Sequence, residues 1–444
     1  MNLPNFDTLR STFSGEIVLP ADPAYKEAAN VFMHTGTPAV ILRPKNSADV
    51  VMAIAYAREN KLVLSVRSGG HSGPGFGTNT DGVVIDMTLM NSIEVVNEDK
   101  HLVRVGSGAN WIQVAETLQG KGLTLSSGDT KTVGVGGLTL GGGIGWLVRK
   151  VGLTIDNLVA AEVITAKGEI LKVSSTENPD LFWAIRGGGG NFGVVTYFEF
   201  QTYQLTKVFA GPIAYGLADL EPVLKGWRDT MRTAPEELNS MIVVFPSMAG
   251  NPPAVMLLCC YAGSDEAIAM KAIEPLTKFG TTAKPMVKEK TYADVLEDAH
   301  PPQGIQVIAK NVFIKEFSDQ VIETILAMCK TAVPILQIRS LGGAMNRVAP
   351  DATAFPHRDS EVLLVCPTFV PAEATADMIE IAMKPWQKLE AFGSGVYANL
   401  LSVATQADIE GTYPKSTYER LAKIKKSYDP ENLFQQNYNI KPEN

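Results

Sequence analysis

The chain is poor in the residues that announce metal or disulfide chemistry. It holds four cysteines in 444 residues, Cys259, Cys260, Cys329 and Cys366, all in the second half. None forms a CxxC pair and each sits in an apolar run, which suits buried free thiols in a reducing compartment. Five histidines, His34, His71, His101, His300 and His357, show neither HxH nor HExxH spacing, so no zinc site is expected. No run of about 18 apolar residues occurs, which excludes a membrane-spanning helix by sequence. The opening MNLPNFDTLRSTFSGEIVLP has no basic stretch followed by an apolar core, so a secretory signal is not expected and the cytoplasm is the expected compartment. Positive charge is also short. A net charge of −8 excludes nucleic acid and anionic membrane as principal partners. Lys423, Lys425 and Lys426 form the densest basic cluster and are read as a solvated helix face. Aromatics make up 8% and do not narrow the choice of substrate.

What is present is a core-forming chain, 45% hydrophobic and 19% charged, long enough for two or three domains. Its first third alternates strands and helices. AVILRP (39–44) reads as a strand; Ser47 is expected to cap a helix with Val50, Val51, Ile54 and Ala55 on one face. LVLSV (62–66), GVVIDM (82–87) and HLVRV (101–105) continue as strands, with Asn97, Glu98 and Asp99 in the turn between the last two. Trp111, Val114, Ala115 and Leu118 mark an amphipathic helix, and 158–173 reads as a hairpin turning at Lys167-Gly168. From about Ala210 the texture changes. Helical runs 318–332 and 372–391 alternate with apolar strands at 241–245, 254–262, 304–314 and 361–370, the pattern of an antiparallel sheet with helices on one face.

Glycine carries the chemical signal. Of 39 glycines, 25 lie between Gly69 and Gly193, in three clusters: RSGGHSGPGFG (67–77), SSGDTKTVGVGGLTLGGGIG (126–145) and RGGGGNFGVVT (186–196). Consecutive unhindered N–H groups form concave anion sites, and a dinucleotide pyrophosphate is the natural guest. Gly73-x-Gly75 leads to Thr78 and Gly134-x-Gly136 to Thr139, so neither pair completes a Rossmann GxGxxG, and neither a P-loop nor a GxSxG elbow occurs.

Arg67-Ser68-Gly69-Gly70-His71 resembles the covalent flavin-attachment motif of the FAD-linked oxidases related to berberine bridge enzyme and 6-hydroxy-D-nicotine oxidase. TVGVGG (132–137) with GGGIG (141–145), NPDLFWAIR (178–186) running into GGGGNFGVVT (187–196), AFPHR (354–358), Tyr397-Ala398-Asn399 and YDPENLF (428–434) follow in the family's order. The resemblance spans roughly residues 35 to 442. It implies an α+β protein: a PCMH-type FAD-binding domain of two α/β subdomains (1–205), an inserted substrate domain of antiparallel sheet backed by helices (206–394), and a C-terminal berberine-bridge-like segment (395–444) returning to the FAD domain.

The same resemblance assigns roles. His71 is the expected point of a single covalent bond to FAD, with Gly69, Gly70 and Gly73 giving room; Thr130 stands where doubly linked relatives carry a cysteine. Arg67, Ser68, Gly69, Gly70, Ser72, Gly128, Asp129, Thr132, Val133, Gly136, Gly137, Gly141, Gly142, Gly145, Gly193, Val195, Asn399, Asn437 and Asn439 are expected around the cofactor. Val133 is expected to govern oxygen access. Tyr397 is the expected catalytic residue, deprotonating or orienting a substrate, and His357 and Arg358 are expected to order a sheet edge. Substrate contacts are expected from 304–314, 335–341 and 361–370. The implied reaction moves hydride from a small alcohol, cyclic amine or natural-product substrate to FAD, with O2 as acceptor and H2O2 as product. A dehydrogenase or reductase using another acceptor, and a non-catalytic flavin-binding protein, are the competing readings.

Overall fold

The computed structural model describes residues 6–247, 250, 252–281, 285–299 and 304–443, so His300 lies outside the described residues. Three sheets carry the architecture. The first is mixed, in the order Glu16–Val18, Val40–Arg43, Val83–Asp86, Leu64–Arg67, with the last three strands parallel. Buried on both faces, Val40, Ile41, Leu42, Val83, Val84 and Ile85 form the near-continuous apolar runs that a covered parallel sheet demands. The second sheet is antiparallel: Ile93–Asn97, Leu102–Gly106, Val194–Gln201, Leu158–Ile164, Ile170–Ser174. The expected hairpin is its 158–174 edge.

The third sheet has seven strands, all antiparallel to their neighbours: Lys288–Lys290, Val208–Gly216, Ala254–Tyr261, Leu238–Phe245, Leu336–Ser340, Val362–Pro371, Ile305–Ile314. Side chains alternate across it. Ile242, Ile338 and Leu364 pack with Trp227, Ile322 and Leu389 of the covering helices. Met241, Val243, Leu363 and Val365 face the other way, into cores shared with the first half of the chain. That second face puts the sheet against the glycine loops. Among the described residues no helix is long and apolar enough to cross a membrane.

Several local expectations are corrected. Asn46, not Ser47, caps the helix Ser47–Glu59, its side chain accepting from Asp49 N at 3.0 Å; Ser47 instead bonds Glu162. The stretch before Asn97 is itself a strand, Ile93–Asn97, so the turn at 97–99 joins it to Leu102–Gly106. The run 372–391 breaks into two helices, Ala376–Met383 and Gln387–Glu390, around Pro385.

The largest correction concerns charge. Lys423 and Lys426 are exposed, but Lys425 is fully buried. Its ammonium donates to Asn191 O (2.8 Å), Phe434 O (2.8 Å) and Asp429 Oδ2 (2.7 Å), one acceptor for each proton. Asn191 adds bonds to Gly188 O, Tyr438 O and the N–H of Ile440. The segment 429–440 is thereby sewn to the third glycine cluster.

Of the two residues expected to order a sheet edge, His357 packs on the edge strand Ile305–Ile314, whereas Arg358 reaches Asp156. Arg358 holds Asp156 with two bonds of 2.7 and 2.8 Å. His357 stacks on Phe313 at 4.7 Å, bonds Thr412 O through Nε2, and burial pushes its imidazole down to about 4. The folded state therefore binds this proton less readily than the unfolded chain does. Stability from this site is complete above pH 6.5 and falls as pH drops from 6.5 towards 4, by about 3 kcal/mol in total. His357→Gln is expected to remove that component of the pH dependence, read from urea unfolding at pH 7, 5.5 and 4. Lys425→Ala should cost about 3–5 kcal/mol by stranding the Asp429 carboxylate, measured in the same titration.

Candidate flavin site

The three glycine clusters meet because two of them touch backbone to backbone. A Cβ on Gly69 would sit 2.2 Å from Gly134 N, and one on Gly134 would sit 2.1 Å from Gly69 N, so neither position admits a side chain. Ser68 locks the contact: its hydroxyl donates to Ser107 O at 2.6 Å and accepts from Gly136 N at 3.1 Å. The third cluster reaches the same place through the strand Val194–Gln201, which pairs with Leu102–Gly106.

Between them lies a cavity of ≈ 420 Å³, within the usual range for cofactor sites. Of the expected residues, Arg67, Ser68, Gly69, Gly70, His71, Ser72, Gly128, Asp129, Val133, Gly136, Gly137, Gly141, Gly193, Val195, Tyr397, Asn399 and Asn437 line it, as does Thr130. Four do not. Thr132 is exposed and meets His71 through its hydroxyl, and Gly142 and Gly145 pack against Phe355 and Ser127. Asn439 lies off the cavity wall, with a buried Oδ1 that has no partner.

Presence at the wall is not the same as a free side chain. The Arg67 guanidinium turns away, to Asp86 Oδ2 at 2.5 Å and to the Ala28 carbonyl. Burial pushes the Asp86 carboxyl up, but Arg67 and Arg43 outweigh it and hold the group below the ordinary carboxylate value. The RSGGH arginine thus braces the loop. Ser68 is likewise consumed by loop-to-loop bonds.

His71 stacks on Phe32, with centroids 4.6 Å apart and planes 19° from parallel. Its Nε2 lies 2.9 Å from Thr132 Oγ1, and the described residues offer Nδ1 no hydrogen bond. Burial lowers the imidazole pKa, so the ring is neutral at pH 7.

Tyr397 is placed by both halves of the fold. Asn311, on Ile305–Ile314, clamps its backbone by Nδ2 to Tyr397 O (3.0 Å) and Oδ1 to Tyr397 N (2.7 Å). The phenol oxygen accepts from Gly143 N and from Asn399 Nδ2, both at 3.0 Å. Both lone pairs are then occupied, and the hydroxyl can only donate. Burial raises the phenol pKa, against the lowering effect of Gly143, Asn399 and the cation Arg339. The group stays protonated at neutral pH.

Of the three strands expected to meet a substrate, the structure brings one residue to the cavity: Arg339 of Leu336–Ser340. It pairs with Asp129 Oδ2 at 2.5 Å, while Thr130 donates to Asp129 Oδ1. Among the described residues Asp129 is the sole carboxylate on the wall. Phe313, Leu363 and Val365 instead pack behind Tyr397. Sequence reasoning missed Arg339, whose register an antiparallel sheet alone does not disclose, and also Phe32, Phe76, Ser107, Gln436 and Tyr438. Ser107 follows a strand with no motif of its own; Phe32 lies outside every motif, and Phe76 sits in the first glycine cluster, where the glycines alone carried the reading.

The wall fits a bulky polar cofactor. Cβ atoms on Gly137 or Gly190 would meet nothing within 4 Å, and Ser107 Oγ and Asn437 Oδ1 are buried without partners, unspent groups at the cavity's edge.

Comparison with known proteins agrees with this geometry. A family model described as an FAD binding domain matches residues 38–174, and one described as berberine and berberine-like matches 390–441. The chain is 34% identical to an uncharacterised FAD-linked oxidoreductase of Bacillus subtilis, over 98% of each. It is 30% identical to (R)-6-hydroxynicotine oxidase of Paenarthrobacter nicotinovorans, over 97% of this chain and 98% of that one. The crystal structure of 6-hydroxy-D-nicotine oxidase from Arthrobacter nicotinovorans superposes with a TM-score of 0.87, at 30% identity, covering 97% of this chain and 99% of that one. With matched domains at both ends and full-length relatives of this kind, the chain belongs to the berberine-bridge-enzyme-like family of FAD-linked oxidoreductases.

Proposed function

We propose that this protein is an oxidase of a small alcohol, cyclic amine or natural-product substrate, with FAD held by one covalent bond to His71. The observation that carries the reading is the convergence of His71, Asp129 and Tyr397 on one cavity walled by the three glycine clusters. On this reading residues 1–205 form the FAD domain, 206–394 the substrate domain and 395–444 the returning segment. Bound FAD supplies the two-electron acceptor for substrate hydride and a route for those electrons to O2, giving H2O2.

The protein's own groups do the rest. Gly136, Gly137, Gly141, Gly193 and Val195 shape the floor, and Asn399 and Asn437 supply amides beside it. His71 holds the cofactor against dissociation. With no cysteine at position 130, Thr130 forms no second link, since a hydroxyl is a far weaker nucleophile than a thiolate. Tyr397 donates its hydroxyl proton to orient the substrate, because its oxygen is already saturated. Asp129, the carboxylate on the wall, accepts the proton that leaves the substrate hydroxyl or amine, and Arg339 holds it in place. Val133, a small branched side chain on the wall, leaves oxygen a path.

Three outcomes are expected. Acid-precipitated wild type retains one FAD equivalent by intact mass, and His71→Ala retains none. A screen of 6-hydroxynicotine, cyclic amines and primary alcohols yields a donor that bleaches the flavin anaerobically and gives H2O2 in air; bleaching without H2O2 would make the protein a dehydrogenase with another acceptor. Asp129→Asn slows that bleaching by about 10²–10⁴-fold in stopped flow, whereas Tyr397→Phe acts mainly on KM.

A further inference from the structure

The contact between Thr132 and His71 has no evident use in binding FAD, because Thr132 does not line the cavity. We propose that Thr132 is the positioning residue for covalent attachment: its hydroxyl fixes the His71 tautomer before the bond forms and stabilises the alkylated ring afterwards. The inference rests on the His71 attachment proposed above and deepens it.

Attachment needs a ring nitrogen with a free lone pair. A neutral imidazole has one N–H and one lone pair, and a hydrogen bond decides which nitrogen carries which. Nε2 faces Thr132 Oγ1 at 2.9 Å, while Nδ1 has no partner among the described residues. With the proton on Nε2, Thr132 accepts the hydrogen bond and Nδ1 keeps its lone pair. Phe32, stacked at 4.6 Å, holds the plane of the ring.

The balance of the step then makes a second demand on the same contact. A C–H bond of the flavin 8α-methyl group breaks, the Nδ1–C8α bond forms, and the isoalloxazine takes up two electrons. One proton leaves from the methyl group and one from Nε2. Dioxygen then takes the two electrons and two protons as H2O2, restoring the oxidised ring. Once Nδ1 is alkylated and the Nε2 proton has gone, Nε2 carries the lone pair and needs a donor. A hydroxyl can reverse its role by rotating its O–H; neither a methyl group nor an ammonium can. Burial favours the uncharged ring before the bond forms.

The test follows covalent incorporation, not turnover. Full-length wild type, Thr132→Val, Thr132→Ser and His71→Ala, each produced under riboflavin limitation, are incubated with FAD in air. Covalent flavin is read over time by intact mass and by in-gel fluorescence after denaturation, and non-covalent FAD affinity by quenching of flavin fluorescence. Thr132→Val is expected to attach FAD at least about tenfold more slowly, the rate equivalent of one lost hydrogen bond, with unchanged FAD affinity; Thr132→Ser attaches at close to the wild-type rate. Attachment by Thr132→Val at the wild-type rate overturns the proposal. So does parallel loss of attachment and FAD affinity, which marks a purely structural role. Where the valine variant does not accumulate, Thr132→Ala is read by the same criteria. Wild type that never retains flavin, or His71→Ala that does, sinks the attachment reading itself and is distinct from either result.

Discussion

The site depends on one steric constraint, the approach of two backbones at Gly69 and Gly134. Each occupies the volume that the other's Cβ would need. A side chain at either position pushes the RSGGH loop away from the TVGVGG loop. The consequences would spread, since Ser68 could no longer bridge to Ser107 and Gly136, and Thr132 could no longer reach His71. The glycines are tolerated at a conformational cost of up to about 1 kcal/mol each because the contact leaves room for nothing else.

Charge is handled on the same plan. Arg67, Arg358 and Lys425 each carry a buried positive charge, and each is matched: Arg67 to Asp86, Arg358 to Asp156, Lys425 to Asp429. Carbonyls complete the donor geometry of Arg67 and Lys425. Such pairs add little net stability over apolar packing, but losing one member is costly. Their value is positional. All three pairs brace loops near the cavity rather than face it, leaving Asp129–Arg339 as the ion pair on the wall itself.

The sheets and helices were legible where hydrophobic period was strong. Long apolar strands such as 254–262, 304–314 and 361–370, linked by helical runs, disclosed the antiparallel sheet, and three glycine clusters in the family's order disclosed the flavin domain. Legibility stopped at side-chain direction. Lys425 looks like its exposed neighbours Lys423 and Lys426 because all three share one charge type; only the helix's rotation toward Asn191 separates it. Arg67 belongs to a cofactor motif by sequence yet turns its guanidinium to Asp86. Arg339 was invisible because strand periodicity gives two faces without saying which meets the cavity. Tyr397 was identified by motif, but its saturated oxygen, which favours donation over proton abstraction, depended on Gly143, more than 250 residues earlier.

The stitching of segment 429–440 to the third glycine cluster has a consequence for biosynthesis. Phe434, Gln436, Asn437 and Tyr438 come after every other residue that lines the cavity. During translation the three glycine clusters and the seven-stranded sheet emerge first and can pack while that wall is still missing. Lys425 can leave water only when Asp429 and the Phe434 carbonyl are in place to accept from it. The cavity therefore gains its last wall only when the 429–440 segment docks on the third glycine cluster.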